Sequence, residues 1–89
     1  MKAAVTTAVG DPDVIRIQET PTPKARPGWV LIRVKAAGLN RSELFTRKGM
    51  SPGVVFPRIQ GIECVGVVED DPSGTYPPGQ QVAAIMGGM

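Results

Sequence analysis

Glycine and proline divide this chain into short apolar segments, and this feature constrains the fold more than any other. The sequence has 11 glycines and 9 prolines in 89 residues, and most of them stand between runs of apolar and β-branched residues. Proline lacks the backbone N–H that a helix interior or a central strand needs, and glycine weakens both elements. Segments of this kind are typical of strands joined by turns.

Five segments have the composition or the alternation of β-strands. The predicted strands are residues 2–8, 14–19, 29–36, 61–69 and 81–86. Alternation is clearest in the third segment, where one apolar face is predicted to consist of Val30, Ile32, Val34 and Ala36. Ile15 and Ile17 likewise share one face of the second strand. Two glycines in the fourth segment indicate a bulge or the close approach of another backbone.

Residues 40–48, approximately, form the one segment that is typical of a helix. Asn40 or Ser42 can cap its start by accepting hydrogen bonds from free backbone N–H groups. Leu44 and Phe45 are expected to supply its buried side. The helix is short, so strand content dominates the prediction.

The fold class that follows is mainly β, a small and partly open β-barrel with one short helix. The last predicted strand, residues 81–86, is apolar and has almost no sequence after it. Such a strand would be a sheet edge with unpaired backbone groups. We therefore expect a barrel that is incomplete at its C-terminal end, in a natural domain longer than this chain. Alternatively, a second chain covers the strand, which predicts self-association through it.

Several kinds of catalytic site are excluded by the residue types that the sequence lacks. It has no histidine and one cysteine, Cys64, which excludes Ser-His-Asp triads, Cys-His pairs, histidine-ligated zinc and internal disulfides. Neither a Gly-x-Gly fingerprint nor a P-loop Gly-Lys-Ser/Thr occurs, so the chain carries no nucleotide site of those types. Cys64 itself is expected to be a small buried hydrophobic residue.

Charge is distributed unevenly along the sequence. Residues 1–58 carry all ten lysines and arginines with four acidic residues, whereas residues 59–89 carry four acidic residues and no basic one. One interpretation is two solvated faces of one small domain; the other is a basic rim at residues 41–58 that attracts an anion such as a cofactor phosphate.

Nucleic-acid and membrane partners are not expected. Only four aromatic side chains are available for stacking on bases. The amino-terminal segment is not typical of a signal peptide, and no apolar run approaches the roughly 20 residues of a membrane helix. A cytoplasmic location is therefore expected.

Three stretches, in this order and spacing, resemble the medium-chain dehydrogenase/reductase superfamily. They are VKAAGLNRSEL at 34–44, FPRIQGIECVGVV at 56–68 and YPPGQQVA at 76–83. The resemblance implies that residues 1–89 are the N-terminal part of the GroES-like catalytic domain of such an enzyme. It also implies a Rossmann domain that binds NADPH or NADH and is absent from this chain.

Two departures from the family pattern indicate which branch the chain resembles. Zinc alcohol dehydrogenases have a cysteine ligand where this sequence has Asn40 and a histidine ligand where it has Ile62. An amide oxygen is a poor zinc ligand and isoleucine offers none, so no catalytic zinc is expected. The pattern is similar to the zinc-independent quinone oxidoreductase (zeta-crystallin-like) branch.

The resemblance also implies site residues. Asn40 and Ser42 are the candidate catalytic residues, and together with Arg41 they are the candidate cofactor-binding residues. Phe45 and Met50 are candidates for lining the substrate site. No metal ligand is expected.

Simpler structural roles remain open for these positions. Asn40 and Ser42 can serve as helix caps alone. Arg41 and Arg47 can be solvated helix charges. Glu63 can anchor Arg41 or a neighbouring backbone group, or it can be a satisfied structural carboxylate.

The function implied is therefore that of an N-terminal fragment of an NAD(P)H-dependent, zinc-independent oxidoreductase that reduces a carbonyl, enone or quinone. Alone, the chain is expected to bind no cofactor tightly and to be inactive. The alternative is a free-standing GroES-like assembly or binding module that acts through its terminal strand.

Overall fold

The computed structural model describes residues 1–86, and its elements follow the predicted order with two additions, a 3₁₀ helix and a two-residue strand. They are β1 (Lys2–Thr6), a 3₁₀ helix (Pro12–Val14), β2 (Ile15–Glu19), β3 (Leu31–Ala36), α1 (Arg41–Arg47), β4 (Arg58–Ile59), β5 (Glu63–Asp70) and β6 (Gln81–Ile85). The five predicted strands and the predicted helix are confirmed. Sequence analysis missed β4, because a strand of two residues is too short to show alternation.

The strands form two antiparallel sheets of three strands each. The first sheet has the order β2-β1-β4 and the second the order β3-β5-β6. In the described part of the chain the two sheets do not close into a barrel, which agrees with the partly open, mainly β fold that was predicted. No helix within residues 1–86 is long and apolar enough to cross a membrane.

Gly66 lets β3 and β5 approach each other closely. A Cβ added at this glycine would collide with the backbone carbonyl oxygen of Arg33 and would lie 2.9 Å from Ile32 Cγ2. The pairing of β3 with β5 also shifts register between Val34 and Ala36. The close approach that the glycines of this segment indicated is therefore confirmed at Gly66.

Few side chains are fully buried in the described residues. Val5 and Val68 are the buried hydrophobic residues, at 4% and 2% exposure. Val34, on the predicted apolar face of β3, is 54% exposed, so this face is covered only in part. Ile17, on the edge strand β2, is 71% exposed, and Cys64 is only half-buried. The two sheets thus leave apolar surface open on several sides.

The buried side of α1 also differs from the prediction. Leu44 and Phe45 are more than a third exposed, and the buried residue of the helix is Arg47. Arg47 faces inward because it exchanges two hydrogen bonds with Gly10: its Nη1 donates to the Gly10 carbonyl at 2.5 Å, and its carbonyl accepts from the Gly10 N–H at 2.9 Å. The interpretation of Arg47 as a solvated charge is wrong.

Candidate functional site

A cleft of about 370 Å³ opens between α1, β1 and the segment after β4. Its polar walls come from three parts of the chain that are distant in sequence. They include Thr6, Asn40, Glu43, Arg47 and Gln60. Of the candidate site residues, the cleft contains Asn40.

The start of α1 places Asn40 in this cleft. Asn40 is the N-cap residue, with extended backbone angles, and forms a capping box with Glu43. Its backbone N–H donates to Glu43 Oε2 at 2.9 Å, and its side chain faces the backbone N–H of Glu43, which donates to the Asn40 backbone carbonyl at 3.1 Å. A capping box satisfies two helix-end donors at once. The prediction that Asn40 caps the helix is confirmed.

A second contact joins Asn40 to β5. Asn40 Nδ2 donates to Glu63 Oε1 at 3.3 Å, between residues 23 positions apart. Glu63 therefore pairs with the Asn40 side chain, which agrees with the role of a hydrogen-bonded structural carboxylate; no ion pair with Arg41 is formed in the described residues. The contact needs Gly38, because a Cβ there would collide with Glu63 Oε1 and lie 2.8 Å from Glu63 Cδ.

One carboxylate oxygen of the cleft wall has no partner. Glu43 Oε1 is buried and accepts no hydrogen bond within the described part of the chain. Buried carboxylate oxygens are normally hydrogen-bonded, so an orphan acceptor in a cleft wall marks a place where a donor fits.

Thr6 and Gln60 close another side of the cleft. Thr6 is 2% exposed, and its Oγ1 accepts from Gln60 Nε2 at 2.8 Å. Sequence analysis missed these two residues, together with Glu43 and Arg47. Glu43 carried a signal, since a carboxylate three residues after an N-cap is typical of a capping box. Thr6 and Gln60 are 54 positions apart, and no local sequence pattern indicates a contact over that separation.

The other candidate site residues lie outside the cleft. Arg41 and Ser42 are exposed on the first turn of α1 and do not border it. Phe45 and Met50, at 40% and 65% exposure, lie at the far end of the helix, where the Met50 N–H donates to the Phe45 carbonyl at 2.9 Å. The structure thus groups Phe45 with Met50 and separates both from Asn40.

Clusters of potential metal ligands are absent from the described residues. Within residues 1–86 no three His, Cys, Asp or Glu side chains come close enough together to hold a metal ion.

Comparison with known proteins was made on sequence and on structure. The family model for the alcohol dehydrogenase GroES-like domain matches residues 26–88. A zinc-type alcohol dehydrogenase-like protein of Schizosaccharomyces pombe is 39% identical over 54 residues, which are 61% of this chain and 17% of that protein.

Two solved structures superimpose on nearly the whole chain. The human synaptic vesicle membrane protein VAT-1 homolog-like protein is 32% identical with a TM-score of 0.91, over 98% of this chain and 29% of that one. The quinone oxidoreductase of Thermus thermophilus is 35% identical with a TM-score of 0.77, over 98% and 26%. The chain spans less than a third of the length of each of these proteins.

Sequence stretches, fold and helix start thus agree with one family. The chain belongs to the alcohol dehydrogenase GroES-like domain family of the medium-chain dehydrogenase/reductase superfamily.

Proposed function

We propose that this chain is part of the catalytic domain of an NAD(P)H-dependent, zinc-independent oxidoreductase that reduces a carbonyl, enone or quinone. The observation that carries the proposal is Asn40, which stands in the cleft of a family fold with its amide beside Glu63. Two relatives support the chemistry by their descriptions. One is the Thermus thermophilus quinone oxidoreductase, solved also with NADPH, and the other is a trans-enoyl reductase of Aspergillus flavipes, 38% identical over 68 residues.

The residues at this site do not fit a catalytic zinc ion. Asn40 already uses its amide on the helix start and on Glu63. Ile62, immediately before Glu63, is half-buried and offers no lone pair. Zinc sites in proteins are built from thiolate, imidazole and carboxylate ligands, and here Glu63 is the one such group in contact with the Asn40 side-chain nitrogen. We therefore derive no step through zinc.

The residues of this chain would orient and polarise the substrate. The hydride is supplied by the nicotinamide of the cofactor when it is bound. Asn40 can donate an amide hydrogen bond to an oxygen in the cleft. Ser42 can pass a proton and Arg41 can balance a pyrophosphate charge, since both are exposed on the adjacent helix turn. Phe45 and Met50 would contact substrate from the other end of α1.

The test uses the complete product of the reading frame that encodes this chain. Oxidation of NADPH and NADH is followed by absorbance with 1,4-benzoquinone, 2-cyclohexenone and cyclohexanone as acceptors. Turnover is expected with at least one acceptor and is expected to survive 1,10-phenanthroline. The 89-residue chain alone is expected to give none. Loss of activity on chelation, or no turnover with either nucleotide, would contradict the proposal.

Variants of the same product test the residue assignments. Ser42→Ala is expected to lower kcat by about 10²-fold if Ser42 passes a proton. Ser73→Ala is the matched control, because Ser73 is an exposed serine in the loop between β5 and β6. Equal rates for the two variants would remove Ser42 from the proposal.

A second candidate function is self-association through β6. This strand pairs with β5 on one side, and within residues 1–86 nothing pairs with its other edge. It carries no charged residue that would discourage pairing, and Ile85 is 83% exposed. An antiparallel partner strand from a second copy would satisfy the free backbone groups. Light scattering at micromolar concentration is expected to show dimers, and a purely monomeric mass would contradict this candidate.

A further inference from the structure

We propose that Glu63 is a positioning residue that fixes the amide of Asn40, so that the cleft presents an N–H donor to its ligand. The ligand group that meets Asn40 is then a hydrogen-bond acceptor, such as a ketone, enone or quinone oxygen. This inference rests on the proposed function and deepens it, because it selects the kind of atom that Asn40 contacts.

The orientation of the Asn40 amide follows from the chemistry of its two neighbours. An ionised carboxylate only accepts hydrogen bonds, so the side of the amide that faces Glu63 is the nitrogen. The capping box requires an acceptor toward the backbone N–H of Glu43, so the oxygen lies on that side. Both neighbours demand the same orientation, and the reverse orientation would place an oxygen against a carboxylate.

One amide hydrogen remains for a ligand. The Asn40 nitrogen carries two hydrogens, and one of them is directed to Glu63. No other protein acceptor contacts this nitrogen among residues 1–86. The oxygen lies toward the backbone N–H of Glu43, so the group that Asn40 turns to a ligand is the remaining N–H. A ketone or quinone oxygen is complementary to that donor.

Gly38 holds Glu63 in place by lacking a side chain. The carboxylate of Glu63 occupies the space that a Cβ at Gly38 would fill, 2.8 Å from Cδ and 3.1 Å from Cγ. An alanine there would push the flexible end of Glu63 away, and the bond to Asn40 would be lost. Gly38 follows β3, Glu63 begins β5 and Asn40 caps α1, so these contacts link three elements.

The test is a nuclear magnetic resonance measurement of the Asn40 side-chain amide. Asn40 is the single asparagine of the sequence, so labelling with ¹⁵N-asparagine gives one side-chain amide signal. This signal is expected to move when the Glu63 carboxylate is removed, because one of the two amide hydrogens donates to Glu63 Oε1. Glu43 also faces Asn40, but it contacts the backbone N–H and is read separately at the backbone signal.

Variants and an internal control complete the experiment. Glu63→Ala and Gly38→Ala are expected to shift the Asn40 side-chain signal, because both remove its bond to the Glu63 carboxylate. Glu69→Gln is the matched control on the same strand and should leave the signal in place, since Glu69 pairs with Arg33 away from the cleft. In uniformly ¹⁵N-labelled protein, the Gln60 side-chain amide, bonded to Thr6 in the same cleft, should stay unchanged in all of them and reports that the chain is folded. An Asn40 side-chain signal that Glu63→Ala leaves unchanged in the folded chain would overturn the proposal.

A kinetic arm separates this inference from the proposed function. In the complete gene product, Asn40→Asp replaces the donor by an acceptor of the same shape, and the KM for quinone is expected to rise at least tenfold. A shift of the Asn40 signal in Glu63→Ala, with no turnover by the complete gene product, would leave the positioning role intact and contradict the proposed function. Turnover without that shift would contradict the positioning role alone.

Discussion

Gly66→Ala is the substitution for which the structure gives the sharpest expectation. The backbone at Gly66 is outside the left-handed region, so alanine meets no conformational strain there. The obstacle is steric: the added Cβ would collide with the Arg33 carbonyl oxygen and lie 3.0 Å from the Arg33 carbonyl carbon. Both atoms belong to the backbone of the paired strand β3 and cannot rotate away, so the two strands must separate locally.

The magnitude follows from two opposing effects. Forcing an extra carbon into a packed site destabilises by about 1–3 kcal/mol, and a backbone obstacle places this case near the upper end. Alanine also lowers the conformational entropy of the unfolded chain, which raises the free energy of unfolding by roughly 0.4–1 kcal/mol. We therefore expect Gly66→Ala to lower the free energy of unfolding by about 2 kcal/mol. With an m-value of about 1.5 kcal/mol per M, the urea midpoint falls by roughly 1.3 M.

The assay is urea unfolding followed by the fluorescence of Trp29, the one tryptophan of the sequence. Gly28→Ala is the matched control, because Gly28 has a φ of 84° and nothing within 4 Å of an added Cβ. That control reports the strain of alanine at a positive φ, about 1–2 kcal/mol, with no collision. A Gly66→Ala midpoint within error of wild type would refute the reasoning, since it would show that β3 and β5 are not in close contact.

Three further results are expected. Arg47→Ala should lower the free energy of unfolding by about 2 kcal/mol, since it removes a buried side chain and leaves the half-buried Gly10 carbonyl without its charged donor. Arg47→Lys should lower it less, and the same urea assay decides. Hydrogen bonds from the backbone N–H of Tyr76 and, second, from the Ser73 side chain hold the pKa of Asp71 below its ordinary 3.8. This exposed carboxylate therefore stabilises the fold above that pH, and the stabilisation disappears as the pH falls through the lowered pKa. Asp71→Asn should therefore flatten the pH dependence of thermal unfolding below about pH 4, and an unchanged profile would contradict the assignment. Ile85→Lys should shift the chain toward monomer in light scattering, because a charge on β6 discourages strand pairing, and an unchanged mass would exclude β6 as the contact.

The sequence was informative wherever a local pattern specified the structure. Alternation in the strands and a capping residue at Asn40 are local signals, and both were confirmed. Burial was predicted less well, because it depends on which faces are covered by other elements. Leu44 and Phe45 are the apolar residues of α1, yet the bonds between Arg47 and Gly10 turn a different side of the helix inward.

Within the candidate site, the pairing of Asn40 with Glu63 could not be predicted. It joins residues 23 positions apart and depends on the missing Cβ of Gly38. The sequence shows both residues and the glycine but not their juxtaposition. Of the roles left open for Glu63, the contact with Arg41 was suggested by charge alone, whereas a hydrogen-bonded structural carboxylate is what the structure has.

The short helix has a mechanical consequence for the cleft. Seven residues are too few for a helix to hold its own shape in water, where about 12–15 residues are marginal. Both ends of α1 are held by hydrogen bonds instead. The capping box stabilises the helix start, which Asn40 also joins to β5 through Glu63, and two hydrogen bonds between Arg47 and Gly10 hold the other end. The C-terminal end of α1 is thus held by the hairpin loop between β1 and β2. The position of Asn40 therefore depends partly on a loop that lies far from it in the sequence, and changes in that loop are expected to shift Asn40 through Arg47 and the helix.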